Sequence, residues 1–335
     1  MKAKNWNIVF MVLGFAMLAW LIYDFGLDRI VANIKQTGWW FMPITAIWFF
    51  IYLLNTWAWA IILGDGHGNT FQRLFSLNIS GFALNYMTPV VGFGGEPYKV
   101  INIKKQIGIH KASSSVILYN MMHILSHFYF WLTSIVLVVF FTHLTTAAYI
   151  LLGITFIIML LLISLFYAWH KKGVVYNALK LMAKIPFLVK PINKLLANNQ
   201  ALNKIDEHIK ELYNFRKTDF YKILFIEYIA RFIGCLEFYF ILKAISFDIA
   251  LVDAIYISAA YSLIANLFFF IPLQLGTREG SLYLVFDSLK FTPAIGIFVS
   301  LVTRIREFFW ILIGLLLMRI TMVINKKTGY TIYNE

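Results

Sequence analysis

The chain has 335 residues, of which 61% are hydrophobic, 18% aromatic and 13% charged, with a formal net charge of +13. Soluble domains carry about a quarter charged residues, so this composition excludes an ordinary soluble globule. The positive balance raises nucleic acid as a partner, but in membrane proteins Lys and Arg gather on cytoplasmic loops, and no nucleic acid is expected here.

In chain order, apolar runs occupy Ile8–Ile22, Ile44–Leu63, Val116–Phe141, Tyr149–Trp169, Ile223–Leu242, Ala254–Ile271 and Ala294–Met318. Each is close to the ~20 residues a helix needs to cross ~30 Å of hydrocarbon. No alternating ten-residue strand pattern appears, so the predicted fold is an all-α polytopic membrane bundle of about six to eight spans. Trp20, Tyr23 and Asp24 follow the first run where a signal peptide would have small residues, which reads as a retained first helix. Cys235 is the sole cysteine, which excludes an intrachain disulfide and a cysteine-based metal cluster.

Basic residues set the expected topology. Between Lys171 and Lys222 stand Lys172, Lys180, Lys184, Lys190, Lys194, Lys204, Lys210, Arg216 and Lys217, whereas the loops at Thr142–Thr146 and Phe247–Asp253 hold no Lys or Arg. The positive-inside rule then puts both termini and the 171–222 segment in the cytoplasm. Threading the spans through these constraints leaves two apolar segments, Leu74–Glu96 and Ala254–Lys290, which must each start and end on one side. Both are predicted to be re-entrant hairpins or broken helices, or else each limb crosses fully, which gives more spans with the same inside termini. Val174–Tyr213 mixes basic and apolar residues, which suits either amphipathic helices lying on an anionic leaflet or a solvated linker. The predicted organisation is one transmembrane domain over 1–325, with repeat-like halves at about 40–170 and 223–320 around the basic segment and a tail over 326–335.

Two motifs occupy the leftover segments. The first is Thr88-Pro89-Val90-Val91-Gly92-Phe93-Gly94-Gly95-Glu96, the second Ile271-Pro272-Leu273-Gln274-Leu275-Gly276-Thr277-Arg278-Glu279-Gly280. Proline precedes glutamate by seven residues in both, Asn120 and His123 follow Glu96 by 24 and 27, and Arg304 and Glu307 follow Glu279 by 25 and 28. This is an internal repeat whose copies enter from opposite sides, the inverted-repeat arrangement of many transporters. Proline and glycine break helices and expose amides within protein, where helix ends favour an anion such as a phosphate. Glu96 and Glu279 face a partner or a watery cavity on this reading, or else cap a half-helix or pair with a base. Arg304 and Glu307, three residues apart, can share one helix face as an ion pair. The predicted binding set is therefore Pro89, Gly94, Gly95, Glu96, Asn120, His123, Pro272, Gly276, Arg278, Glu279, Arg304 and Glu307.

These motifs resemble the lysylphosphatidylglycerol synthetase transmembrane-domain family, also called flippase-like domain proteins, over about residues 5–325. The resemblance implies a multi-pass protein of the bacterial cell (inner) membrane that handles lipid, sometimes fused to a soluble aminoacyltransferase domain. The sequence ends at Glu335 with no such domain, and Asn120 and His123 stand where many members have an Arg and an acid.

His123 and His127 could present two metal ligands at i,i+4, but no acid lies nearby in sequence, and hydrogen-bonded interior histidines are the expectation; no metal or cofactor is expected. Gly64-Asp65-Gly66-His67-Gly68 lacks a preceding strand and a Lys-Ser/Thr ending, so it reads as a turn rather than a phosphate loop. The leading expectation is a flippase-like protein that binds or translocates an anionic phospholipid or lipid-linked head group, with Arg278 and Arg304 shielding its charge. The alternatives are a membrane-embedded head-group transferase using Glu96, His123 or Glu279 as a base, or a non-catalytic partner of a soluble enzyme docking at Val174–Tyr213. A homo-oligomer is compatible with each.

Overall fold

The computed structural model describes residues 27–65, 68–87, 94–141, 146–170, 174–184, 199–268 and 276–327, with a few isolated positions between them. The predicted first span, the tail after Lys327, Pro89 and Pro272 lie outside the described residues. Among the described residues there is no strand. The chain is an all-α membrane protein.

An amphipathic helix α1 (Leu27–Thr37) leads through a short 3-10 turn into α2 (Phe41–Leu63). The 23 residues of α2 are almost wholly apolar, and it stops at Gly64, whose φ of 72° leaves the helical region. Next come α3 (Phe71–Met87), α4 (Gly95–Ile107), α5 (Ile109–Phe141) and α6 (Thr146–His170). The short helices α7 (Val174–Met182) and α8 (Asn199–Phe215) precede α9 (Lys217–Ala244), α10 (Leu251–Leu267), α11 (Thr277–Ser288) and α12 (Pro293–Lys327). The residues Val31–Leu63, Ile109–Phe141 and Tyr149–Ala168 form helices long and apolar enough to cross a membrane. Most of α6 turns its Ile and Leu side chains outward, as a helix solvated by lipid must.

The helices α3 and α4 are a hairpin, because Arg73 at the start of α3 donates to the Asn102 carbonyl near the end of α4 at 2.8 Å. Likewise α10 and α11 are a hairpin, with Tyr256 and Ser288 hydroxyls 2.9 Å apart at its open end. Their limbs, of 17 and 13 and of 17 and 12 residues, rise only about 18–26 Å, less than a full hydrocarbon crossing. Both segments thus turn back as predicted, but the first is longer than its apolar run. It returns at Ile107 rather than at Glu96, which instead sits in the first turn of α4, at the tip. The apolar pattern misses α4 because that helix is polar (GEPYKVINIKKQI) and buries Tyr98, Lys99 and Asn102 inside protein.

The order α2-α3-α4-α5 and the order α9-α10-α11-α12 pack alike, each helix against the next. Between these sets α2 meets α9, α3 meets α12, and α5 meets α10, and exchanging the sets returns these three pairings. The paired helices run antiparallel. At one end of α2 and α9 the Trp40 and Phe240 rings are 5.6 Å apart, and at the other Arg216 donates to the Ile61 carbonyl at 2.7 Å. Similarly Ser76 meets Thr321 at 2.9 Å and Ser80 meets the Gly314 carbonyl at 2.9 Å across α3 and α12. This is inverted-repeat packing.

The helices α7 and α8 differ from a helix pair floating on lipid. Leu202, Ile209 and Leu212 of α8 are buried, the last two in the main hydrophobic core, and Asp206 accepts from the Val175 and Tyr176 amides at 2.9 and 3.2 Å, capping α7. The apolar stripe of α8 is satisfied by protein rather than by the leaflet.

Candidate functional site

Between the two sets of helices lies a cavity of about 570 Å³ whose walls come from α2, α3, α4, α5, α9, α10 and α12. Its position follows from sequence. The hairpin limbs are too short to fill the bundle's mid-height, and the helices around them carry polar side chains inward.

One wall is an ion network. Arg278 of α11 donates twice to Glu307 of α12, at 2.7 and 2.9 Å, and Arg306 donates twice to Glu237 of α9, at 2.8 and 3.0 Å. The two pairs meet where Arg306 Nη1 lies 3.9 Å from Glu307 Oε1. Trp48 donates its indole N–H to Glu237 at 2.8 Å and lays its ring 3.9 Å from the Arg306 guanidinium. Arg306 Nη1 and the Tyr52 hydroxyl, both buried, have no hydrogen-bond partner, and both residues line the cavity. Both donors lack a hydrogen bond, although Arg306 Nη1 keeps its ionic contact with Glu307.

The opposite wall holds Glu96, Lys99, Tyr119, Asn120, His123, His127 and Arg231. Asn85 closes the first hairpin: its amide oxygen accepts from the Gly95 N–H at 2.7 Å and its amide nitrogen donates to Glu96 at 2.9 Å. Glycine is required at 95, because a Cβ there would overlap the Gly81 carbonyl where α3 and α4 cross. Lys99 lies 3.9 Å from Glu96 and is boxed by the Tyr119 and Trp59 rings at 5.0 and 5.6 Å. Asn55, once its amide is oriented to suit its neighbours, donates to Glu227 behind this wall at 3.2 Å.

Of the sequence-predicted residues, Glu96, Asn120, His123 and Glu307 line the cavity. Gly94 and Gly95 start α4 at its edge, and Arg278 lies behind Glu307, joined to it by two hydrogen bonds. Glu279 does not face the cavity. It accepts from the Gly276 amide at 3.0 Å, from Ser300 at 2.9 Å and from Arg304 at 2.6 Å, so it caps α11 and ties it to α12. The expected pairing of Arg304 with Glu307 within α12 is therefore replaced by two crossed pairs between helices, Arg304–Glu279 and Arg278–Glu307. In this structure Arg278 and Arg304 are each engaged by a carboxylate, Glu307 and Glu279. Tyr86, near the end of α3, lies close to Arg278, Arg304 and Glu307.

Trp48, Tyr52, Glu227, Arg231 and Glu237 were not singled out by the motifs. Their signal was present: Glu227, Arg231 and Glu237 interrupt the apolar run Ile223–Leu242, and ionisable groups at membrane depth face a partner or a cavity.

Residues 7–314 match the family described as lysylphosphatidylglycerol synthase TM region. The chain is 25% identical to a UPF0104 membrane protein of Methanocaldococcus jannaschii, over 96% of this chain and 97% of the relative. No solved structure matches it.

Proposed function

The chain belongs to the lysylphosphatidylglycerol synthase TM-region family, and from this we propose that its central cavity binds and translocates an anionic amphiphile, a phospholipid or lipid-linked head group. The observation that carries the reading is the pair of buried donors without hydrogen-bond partners, Arg306 Nη1 and the Tyr52 hydroxyl, on the lining of the cavity between inverted halves. A phosphate oxygen supplies the acceptor both lack, and a charge-assisted bond to guanidinium is among the stronger ones. The cavity needs no net positive charge for this: its carboxylates and bases are already matched, so selectivity rests on the two spare donors. Ile124, 51% exposed, stands at the rim on α5, where alkyl chains remain in lipid while a head group enters. Rocking of one half, 40–170, against the other, 223–320, would expose the cavity alternately, with the two hairpins as moving limbs. In this reading the protein sits in the cell membrane with its termini and the 171–222 segment cytoplasmic.

Purification in native lipid followed by mass spectrometry of retained lipids tests the reading. Anionic lipid enriched over the bulk extract, and reduced in Tyr52→Phe, is expected. Bulk lipid composition in the wild type would overturn it.

A further inference from the structure

The cavity also carries groups that a head group at Tyr52 and Arg306 leaves unused. Tyr119, His123, His127 and Trp131 stand one turn apart on α5, and their rings touch in sequence at centroid separations of 5.9, 5.5 and 5.2 Å. The column ends where the Trp131 indole donates to Ser262 of α10 at 2.9 Å. Both histidines line the cavity, and His127 Nδ1 is buried with no hydrogen-bond partner. His123 Nδ1 lies 2.7 Å from Glu227, a carboxylate with 0% exposure, while Arg231 approaches the same ring at 2.6 Å and Glu227 at 3.6 Å.

The charged groups around the histidines come from every side. Glu227 and Arg231 face them from α9 and Glu96 and Lys99 from α4. Across the cavity stand Glu237 of α9 and Arg306 and Glu307 of α12, whose remaining partner is Arg278 of α11. The facing residues of α2 and α10, Asn55 and Ser262, are uncharged. Each carboxylate has a base, so with both histidines neutral the lining carries no net charge. One added proton leaves every ion pair intact and gives the cavity a single positive charge.

We propose that His123 and His127, positioned by Glu227, hold one exchangeable proton and that its binding is linked to binding of the anion on the opposite wall. Hydronium gives its proton to the lone pair of an imidazole nitrogen: an N–H bond forms, an O–H bond breaks and water remains. Release to water on the other side reverses the step. Linkage is reciprocal, so an anion in the cavity tightens proton binding by the factor by which the proton tightens anion binding. The linkage rests on the proposed function, whereas the proton site does not.

Trp131 is a built-in reporter, because a protonated imidazole quenches an indole in contact with it, and the His127 and Trp131 rings are 5.2 Å apart. The full chain in detergent is expected to show a reversible change in tryptophan emission as falling pH adds the proton to the imidazoles. That change should vanish in Trp131→Phe and in His123→Gln/His127→Gln, with unaltered gel-filtration elution and melting showing that each variant is folded. Saturating dihexanoyl phosphatidylglycerol should move the midpoint up by about one pH unit, a tenfold linkage. No emission change in the wild type, or one that survives in the folded double variant, overturns the proton site. A midpoint unmoved by lipid that mass spectrometry shows to be bound overturns the linkage. If the lipid does not bind, the proposed function fails, and the emission change alone decides the proton site.

Discussion

Arg278 and Glu307 form a two-pronged ion pair between α11 and α12, with hydrogen bonds of 2.7 and 2.9 Å and Arg278 only 2% exposed. The pair holds the second hairpin against the last helix and forms the floor of the network that ends at Trp48. Removing one partner leaves a buried charge uncompensated, which costs about 3–5 kcal/mol. Glu307→Gln is therefore expected to lower the detergent melting temperature strongly, and Arg278→Met with Glu307→Leu to recover much of it. Melting curves of the single and double variants check this.

A separate outcome is expected at Glu279 and Arg304. Glu279 is tied to Gly276, Ser300 and Arg304 and does not line the cavity, so its role is to hold α11 in place. Glu279→Gln should lower stability by about 1–3 kcal/mol, while each folded molecule retains wild-type lipid translocation. Translocation normalised to folded protein measures this, and selective loss of transport at unchanged stability would place Glu279 in the pathway instead.

The crossing of the first hairpin makes a contrast between two glycines. A Cβ on Gly95 meets the Gly81 backbone carbonyl, whereas a Cβ on Gly81 meets the end of the flexible Lys99 side chain. Gly95→Ala is expected to cost about 1–3 kcal/mol by forcing backbones apart, and Gly81→Ala distinctly less. Chemical denaturation of the two variants in detergent gives the comparison.

Much of the scaffold was legible in the sequence, and particular residues show where legibility stopped. Threading the spans through the distribution of basic residues located two turned-back segments, because each had to start and end on one side. Hydropathy did not find α4, since Lys99 and Asn102 are buried in protein and not in lipid. The motif residues were also given equal weight, although Glu96 faces the cavity and Glu279 caps a helix. That difference depends on Asn85 and Arg304, which lie 11 residues before one glutamate and 25 after the other, a distance at which sequence gives no pairing. Arg306 and Tyr52 were hidden for the same reason, since only the fold brings α2 and α12 together.

Topology can be tested with the single cysteine. Cys235 is fully buried, so Cys235→Ala provides a background with no reactive thiol. Lys204→Cys on α8 is expected to react only from the cytoplasm and Asp248→Cys only from outside, as the distribution of basic residues requires. Reaction of both from one side of intact cells would refute that orientation.

Translocation of a fluorescent phosphatidylglycerol in reconstituted vesicles tests the central claim most directly, comparing wild type with Tyr52→Phe. The tyrosine hydroxyl has no hydrogen-bond partner within the protein, so its removal should leave the melting temperature unchanged while slowing translocation about ten- to a hundredfold, the value of one hydrogen bond to a charged group. Wild-type vesicles that translocate the lipid no faster than protein-free vesicles would contradict the account.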